Sequence, residues 1–117
     1  MTRLIDGGLT ATIADDAAFA FTAPLGRTQG CVVVMTRSAS AGFARALYWY
    51  RVATSGSLLV MGEPSGSTSN EATGALTGTT GTDGVMTVSA HTDGKIYVEN
   101  RSGSSKVVDV IFLGGSI

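Results

Sequence analysis

Residues 46–53 limit what this chain can fold into more than any other segment, because large apolar side chains fill consecutive positions there. Side chains leave a strand alternately to either side. Tyr48, Tyr50 and Val52 therefore share one face, while Leu47 and Trp49 share the other. A chain of 117 residues carries one modest core. One face of such a strand can enter that core; the other needs a second sheet or a second copy of the protein. Residues 107–113 pose the same demand, with Val108, Val110 and Phe112 on one side and Val107, Ile111 and Leu113 around Asp109 on the other.

The composition agrees with strands and disagrees with several functions. Glycine occurs 16 times and charged residues make up only 15% of the chain, while Val, Thr and aromatics recur in short runs between Gly-rich breaks. That is the pattern of sandwiches and barrels. The formal charge of −1, with its eight basic residues scattered, leaves no electrostatic footprint for nucleic acid or a membrane surface. The run 107–113 is far too short to span a bilayer. Residues 1–6 offer no apolar stretch for a secretory signal, so synthesis and folding in a cytosol are expected.

Turn chemistry divides the chain into seven or eight strands. The reading is an all-β, antiparallel sandwich or small barrel, jelly-roll-like, formed by residues 13–117 behind a short N-terminal arm, 1–12, which reads as an arm or a short edge strand. Residues 31–36 read as a central strand covered on both sides, with Cys31 a buried, inert thiol. Residues 65–73, rich in Gly, Ser and Thr, read as an exposed loop. Residues 85–90 and 95–99 form a hairpin, with Met86, Val88, Ala90, Ile96 and Val98 inward and Lys95, Tyr97 and Glu99 outward. Helix is limited to a turn near Asp15 and Asp16 or near Phe43 and Ala44.

Catalytic groups are sparse. His91 is the sole imidazole and sits at the expected hairpin tip, away from a nucleophile and an orienting partner. Cys31 heads an apolar run and cannot form an internal disulfide, being the sole cysteine. Asp83 and Asp93 each precede a glycine, as turn residues do, without the alternating oxygens of a calcium loop. The stretch 78–84 resembles a phosphate loop but lacks its Gly-Lys-Ser/Thr ending and a following helix. Asn100 and Ser102 fit a glycosylation acceptor pattern, read here as a turn. No catalytic residue, cofactor or metal is assigned, and the chain is read as a non-enzyme. Tyr48, Trp49 and Tyr50 fit either core plus subunit interface or a sugar-stacking platform; apolar neighbours favour the former.

Two segments carry a resemblance. Ile13-Ala14-Asp15-Asp16, then small residues around Phe19 and Phe21 and a stop at Pro24, is similar to the opening of small β proteins in tailed-phage structural modules. Tyr97-Val98-Glu99-Asn100-Arg101-Ser102-Gly103, followed by an apolar strand and a Gly-rich end, is similar to their closing segment. The resemblance implies a virion structural protein assembled in bacterial host cytoplasm. Within that class the expected role is capsid decoration or cement, as a homo-oligomer with a trimer favoured, bound to the major capsid protein or other virion proteins. A tail or head-fibre component and a carbohydrate-binding module remain as alternatives. Phe19, Phe21, Trp49, Val88, Val98, Val110 and Phe112 are expected in the core. Tyr48, Tyr50, Ile111 and Leu113 are expected at subunit contacts, and Leu4 and Ile5 of the arm against a neighbour.

Overall fold

A computed structural model describes residues 5–37, 45–53, 55–62 and 69–116. These form nine strands: β1 (Ile5–Ile13), β2 (Ala17–Thr22), β3 (Gln29–Thr36), β4 (Arg45–Val52), β5 (Gly56–Gly62), β6 (Ser69–Thr73), β7 (Met86–His91), β8 (Lys95–Asn100) and β9 (Lys106–Ser116). A five-stranded sheet in the order β1-β9-β3-β4-β5 packs on a four-stranded sheet in the order β2-β8-β7-β6. The fold is thus an all-β sandwich. The ends of the chain nest, β1 pairing with β9 and β2 with β8, whereas β3, β4 and β5 run as a meander.

Several expectations need correcting. The stretch 5–12 is not a free arm but the edge strand that was its alternative: β1 starts at Ile5 and pairs along β9, with Ile5 opposite Leu113 of the same chain. Leu4 lies outside the described residues, as do Phe43 and Ala44. Part of the expected loop 65–73 is strand β6, and it runs parallel to β7, so the sandwich is not wholly antiparallel. The short helical turn falls at Pro24–Gly26, where proline presets the backbone at the first helical position.

The core lies between the sheets. Val32, Val34, Tyr48, Tyr50, Val108, Val110 and Phe112 enter it from one side, and Phe21, Met86, Val88, Ala90, Ile96 and Val98 from the other. Tyr48 and Tyr50 are both 0% exposed, so they are core residues and not the subunit contacts expected of them. Each ring sealed this way contributes roughly 2–3 kcal/mol relative to an exposed one. Tyr50 meets Phe112 edge-on, with ring centroids 5.7 Å apart, an arrangement that suits the positive edge and negative face of aromatic rings. The Tyr50 hydroxyl is buried without a hydrogen-bond partner among the described residues, and burial pushes its pKa up.

Part of the outer side of the four-stranded sheet is covered by its own chain. Residues 74–84, between β6 and β7, cross it and cap Thr87, Ser89 and Glu99, all of which are buried. Glu99, expected to face outward into water, is fully buried instead. Its Oε2 accepts the backbone N–H groups of Gly78 at 2.8 Å and Thr80 at 3.0 Å, and its Oε1 that of Gly81 at 2.7 Å. The segment that looked like a phosphate loop does gather amides around an anion, and the anion is this carboxylate. Glycine is required at both ends of the clasp. A Cβ on Gly78, whose φ is 113°, would lie 2.4 Å from the Asp16 carbonyl oxygen. One on Gly81 would lie 2.5 Å from the Thr87 hydroxyl. Arg101 holds the far end, donating to the Gly81 carbonyl at 2.8 Å and to Asp16 at 2.9 Å.

Two substitutions test this packing by thermal melting. Glu99→Ala strands three amide donors, one of them deeply buried, and is expected to cost on the order of 3 kcal/mol, lowering the midpoint by roughly 10–20 °C. Tyr50→Phe removes a buried hydroxyl that bonds to nothing described and is expected to hold or raise the midpoint, by up to ~1 kcal/mol in stability. A melting temperature unmoved by the first, or clearly lowered by the second, contradicts these assignments.

Candidate assembly face

Because Tyr48 and Tyr50 point inward, Leu47 and Trp49 must point outward. Strand register extends that side across the sheet. Leu113, Cys31, Trp49 and Leu59 align in one row across β9, β3, β4 and β5. Ile111, Val33 and Leu47 form the next row. Between Leu47 and Tyr48 the pairing with β5 slips by one residue, leaving Met61 as the extra residue of a bulge. The Met61 Sδ lies 3.8 Å from the Cys31 Sγ, so the methionine reaches over Trp49's strand toward β3.

This face is apolar and, among the described residues, uncovered. Leu59 is 62% exposed, Met61 56% and Met35 40%; Cys31, Val33, Leu47, Trp49, Ile111 and Leu113 are half-buried by one another. Contiguous apolar surface of this kind on a folded domain is a candidate site for another surface. Ile111 and Leu113, named from sequence, lie on it. Trp49, expected in the core, lies on it too, as does Cys31, which is neither sealed in nor covered on both sides. The sequence missed Leu59 and Met61 as members. Their alternation with Leu58 and Val60, which pack against the core, was the available signal.

Charge is confined to the margins. At one end Arg51 is exposed and donates to the Ser55 hydroxyl at 3.2 Å. At the other, Asp109 accepts from Arg37 Nε at 2.7 Å, from Arg37 Nη2 at 2.9 Å and from the Thr10 hydroxyl at 2.7 Å. The Arg37 bonds, then that of Thr10, hold the Asp109 carboxyl below the ordinary carboxylate range, and Asp109 in turn raises the Arg37 pKa. The cluster ties β1 and β9 to the segment leaving β3.

The other candidate groups are dispersed. His91 ends β7 with its ring edge-on to Tyr97 at 6.3 Å, on the sheet opposite Cys31. Asp93 accepts the Tyr97 hydroxyl and the Lys95 backbone N–H, closing the β7–β8 turn. Asp83 lies 3.6 Å from Arg101. Asn100 is buried, its amide donating at 2.8 Å to the carbonyls of both Ile13 and Ser104, which fixes the β8–β9 turn. Among the described residues no three His, Cys, Asp or Glu side chains converge as metal ligands. The chain matches no protein-family model, no curated protein and no solved structure.

The Asp109 cluster yields a pH dependence of known sign. A carboxyl whose folded pKa is depressed stabilises the fold above its unfolded value, near ~3.9, and that contribution is lost as pH falls through the lower folded value. Wild-type stability is therefore expected to decline below about pH 4 more steeply than that of Asp109→Asn, measured by denaturant titration from pH 6 to pH 2. Parallel acid limbs for the two proteins would show that Asp109 contributes nothing.

Proposed function

We propose that this chain is a non-enzymatic structural subunit of a tailed-phage particle, a capsid decoration protein that works by adding buried contact area across joints of a shell. The observation that carries the reading is the bare apolar face of the five-stranded sheet, centred on Cys31, Trp49 and Leu59. An apolar face this wide favours a partner that stays bound over one that binds and leaves, because its affinity comes from area removed from water. The resemblance of the Ile13–Pro24 and Tyr97–Gly103 segments to phage structural β proteins supplies the class of partner: copies of this chain and the major capsid protein.

A head-fibre or tail component would use the same face and differ only in where it is attached. The sugar-binding alternative loses its platform. Tyr48 and Tyr50 are inside, which leaves Trp49 as the one ring of the three on this face, in a row with Leu113, Cys31 and Leu59.

Particles purified from cells carrying the chain's own genome are expected to contain it in many copies by quantitative mass spectrometry, and to lose it when Trp49 is replaced by Asp. Cys31 is expected to react with a maleimide in the free protein and to be protected on the particle. A chain absent from purified particles overturns the proposal.

A further inference from the structure

Residues 74–84 are fixed at their two ends by backbone bonds, Gly74 N–H to the Ala90 carbonyl and Gly84 N–H to that of Arg101. The residues between belong to no strand. None of them joins the core between the sheets, so the sandwich has its full interior without them. Their own buried apolar side chain is Leu76, 6% exposed and outside that core. Gly74 has φ 113° and Gly84 φ 86°, and a Cβ on either would meet nothing within 4 Å. The two ends are therefore free to turn, whereas the middle is tight at Gly78 and Gly81. The segment is also braced within itself. Thr77 N–H donates to the Thr80 hydroxyl at 3.0 Å, and the two hydroxyls lie 2.8 Å apart.

We propose that this strap is a latch that opens as a unit about Gly74 and Gly84 over an intact sandwich, held shut by the negative charge of Glu99. Among the described residues, the polar contacts from the strap's interior to the rest of the protein converge on two side chains. Gly78, Thr80 and Gly81 donate their N–H groups to the Glu99 carboxylate. Arg101 donates to the Gly81 carbonyl and lies 3.6 Å from Asp83 of the strap, while its other side holds Asp16. Donors on both carboxylate oxygens require the ionised form, because a neutral acid or an amide would turn its own hydrogen toward one of those N–H groups. One charge thus governs three bonds together. The Glu99 charge also helps to raise the Arg101 pKa, after the bond to Asp16, so the two anchors support each other. The shut strap leaves the Thr87 hydroxyl buried with no hydrogen-bond partner among the described residues, a cost that opening to water relieves. Opening would uncover Thr87, Ser89 and Glu99 and give the four-stranded sheet a second, polar outer face. The latch stands independently of the subunit reading above.

Native-state amide hydrogen exchange on the full chain, followed by NMR, tests the latch in the wild type and in Glu99→Gln. In the wild type the N–H groups of Gly78, Thr80 and Gly81 are expected to exchange at a common rate. That rate is expected to be at least ~10-fold faster than those of Ile96 and Val98 in β8 and nearly independent of added denaturant, as for a local opening. Glu99→Gln keeps the side-chain shape and removes the charge. It is expected to speed the strap amides by a further ~10-fold or more, with β8 still the slower set. Strap amides that exchange only at the rate and denaturant dependence of β8 overturn the separate opening. Strap exchange in Glu99→Gln that matches the wild type overturns the role of the charge. A Glu99→Gln chain that does not fold overturns the proposal as well, because the sandwich would then depend on the latch.

Discussion

Which way β4 faces decides most of this molecule. Its two tyrosines take the inside, where Tyr50 braces Phe112 across the sheet, and period-two geometry then sends Leu47 and Trp49 to the outside. A slip of one residue would exchange the sets and place two hydroxyls on the surface. Tyr48 and Tyr50 nonetheless go in, because their face also carries Ala46 and Val52, whereas the face of Leu47 and Trp49 carries Arg51, whose charge would be costly to bury. The outer apolar face is the consequence. Strands β9, β3 and β5 extend it by register, each with its own second apolar set.

The two outer faces of the sandwich are treated in opposite ways. The four-stranded sheet presents Thr87, Ser89 and Glu99, side chains that water would solvate well, yet the chain lays residues 74–84 over them and clamps that segment by amide donors on a carboxylate. The five-stranded sheet presents Leu59, Met61 and Trp49, and the described chain leaves them uncovered. Covering a polar face while leaving an apolar one bare makes sense if something outside this chain covers the latter. The clasp keeps the first face from competing as a sticky surface, and it ties β7 and β8 to the β1–β2 corner through Asp16 and Arg101.

Much of the architecture was legible in the sequence. Alternation in 85–99 located the β7–β8 hairpin and its core residues, because its polar positions leave one register. The doubly apolar runs at 46–53 and 107–113 announced an excess of apolar strand surface, though not which half goes inside. Large aromatic rings on both faces of β4 mask the sign, which lies in Arg51 on the face of Leu47 and Trp49. Phe19, expected in the core, is 46% exposed, since pattern shows that it points inward but not that its strand is an edge. Glu99 was misread for another reason. It obeys the outward alternation, and only the fold reveals that another segment lies on top of it. β6 escaped notice because its Ser, Asn and Thr pair in parallel with β7 without burying a large side chain.

The nesting of β1 against β9 has a consequence for how the protein comes into being. Among the described strands β1 has one neighbour in its sheet, β9, which begins at Lys106, and β3 also hydrogen-bonds to it. At bacterial-to-eukaryotic synthesis speeds of about 5–20 residues per second, β1 waits roughly 5–20 s after emerging before its partner exists. A nascent chain halted before that point lacks the strand that joins β1 to β3. The five-stranded sheet therefore closes only once β9 has been made, late relative to β1.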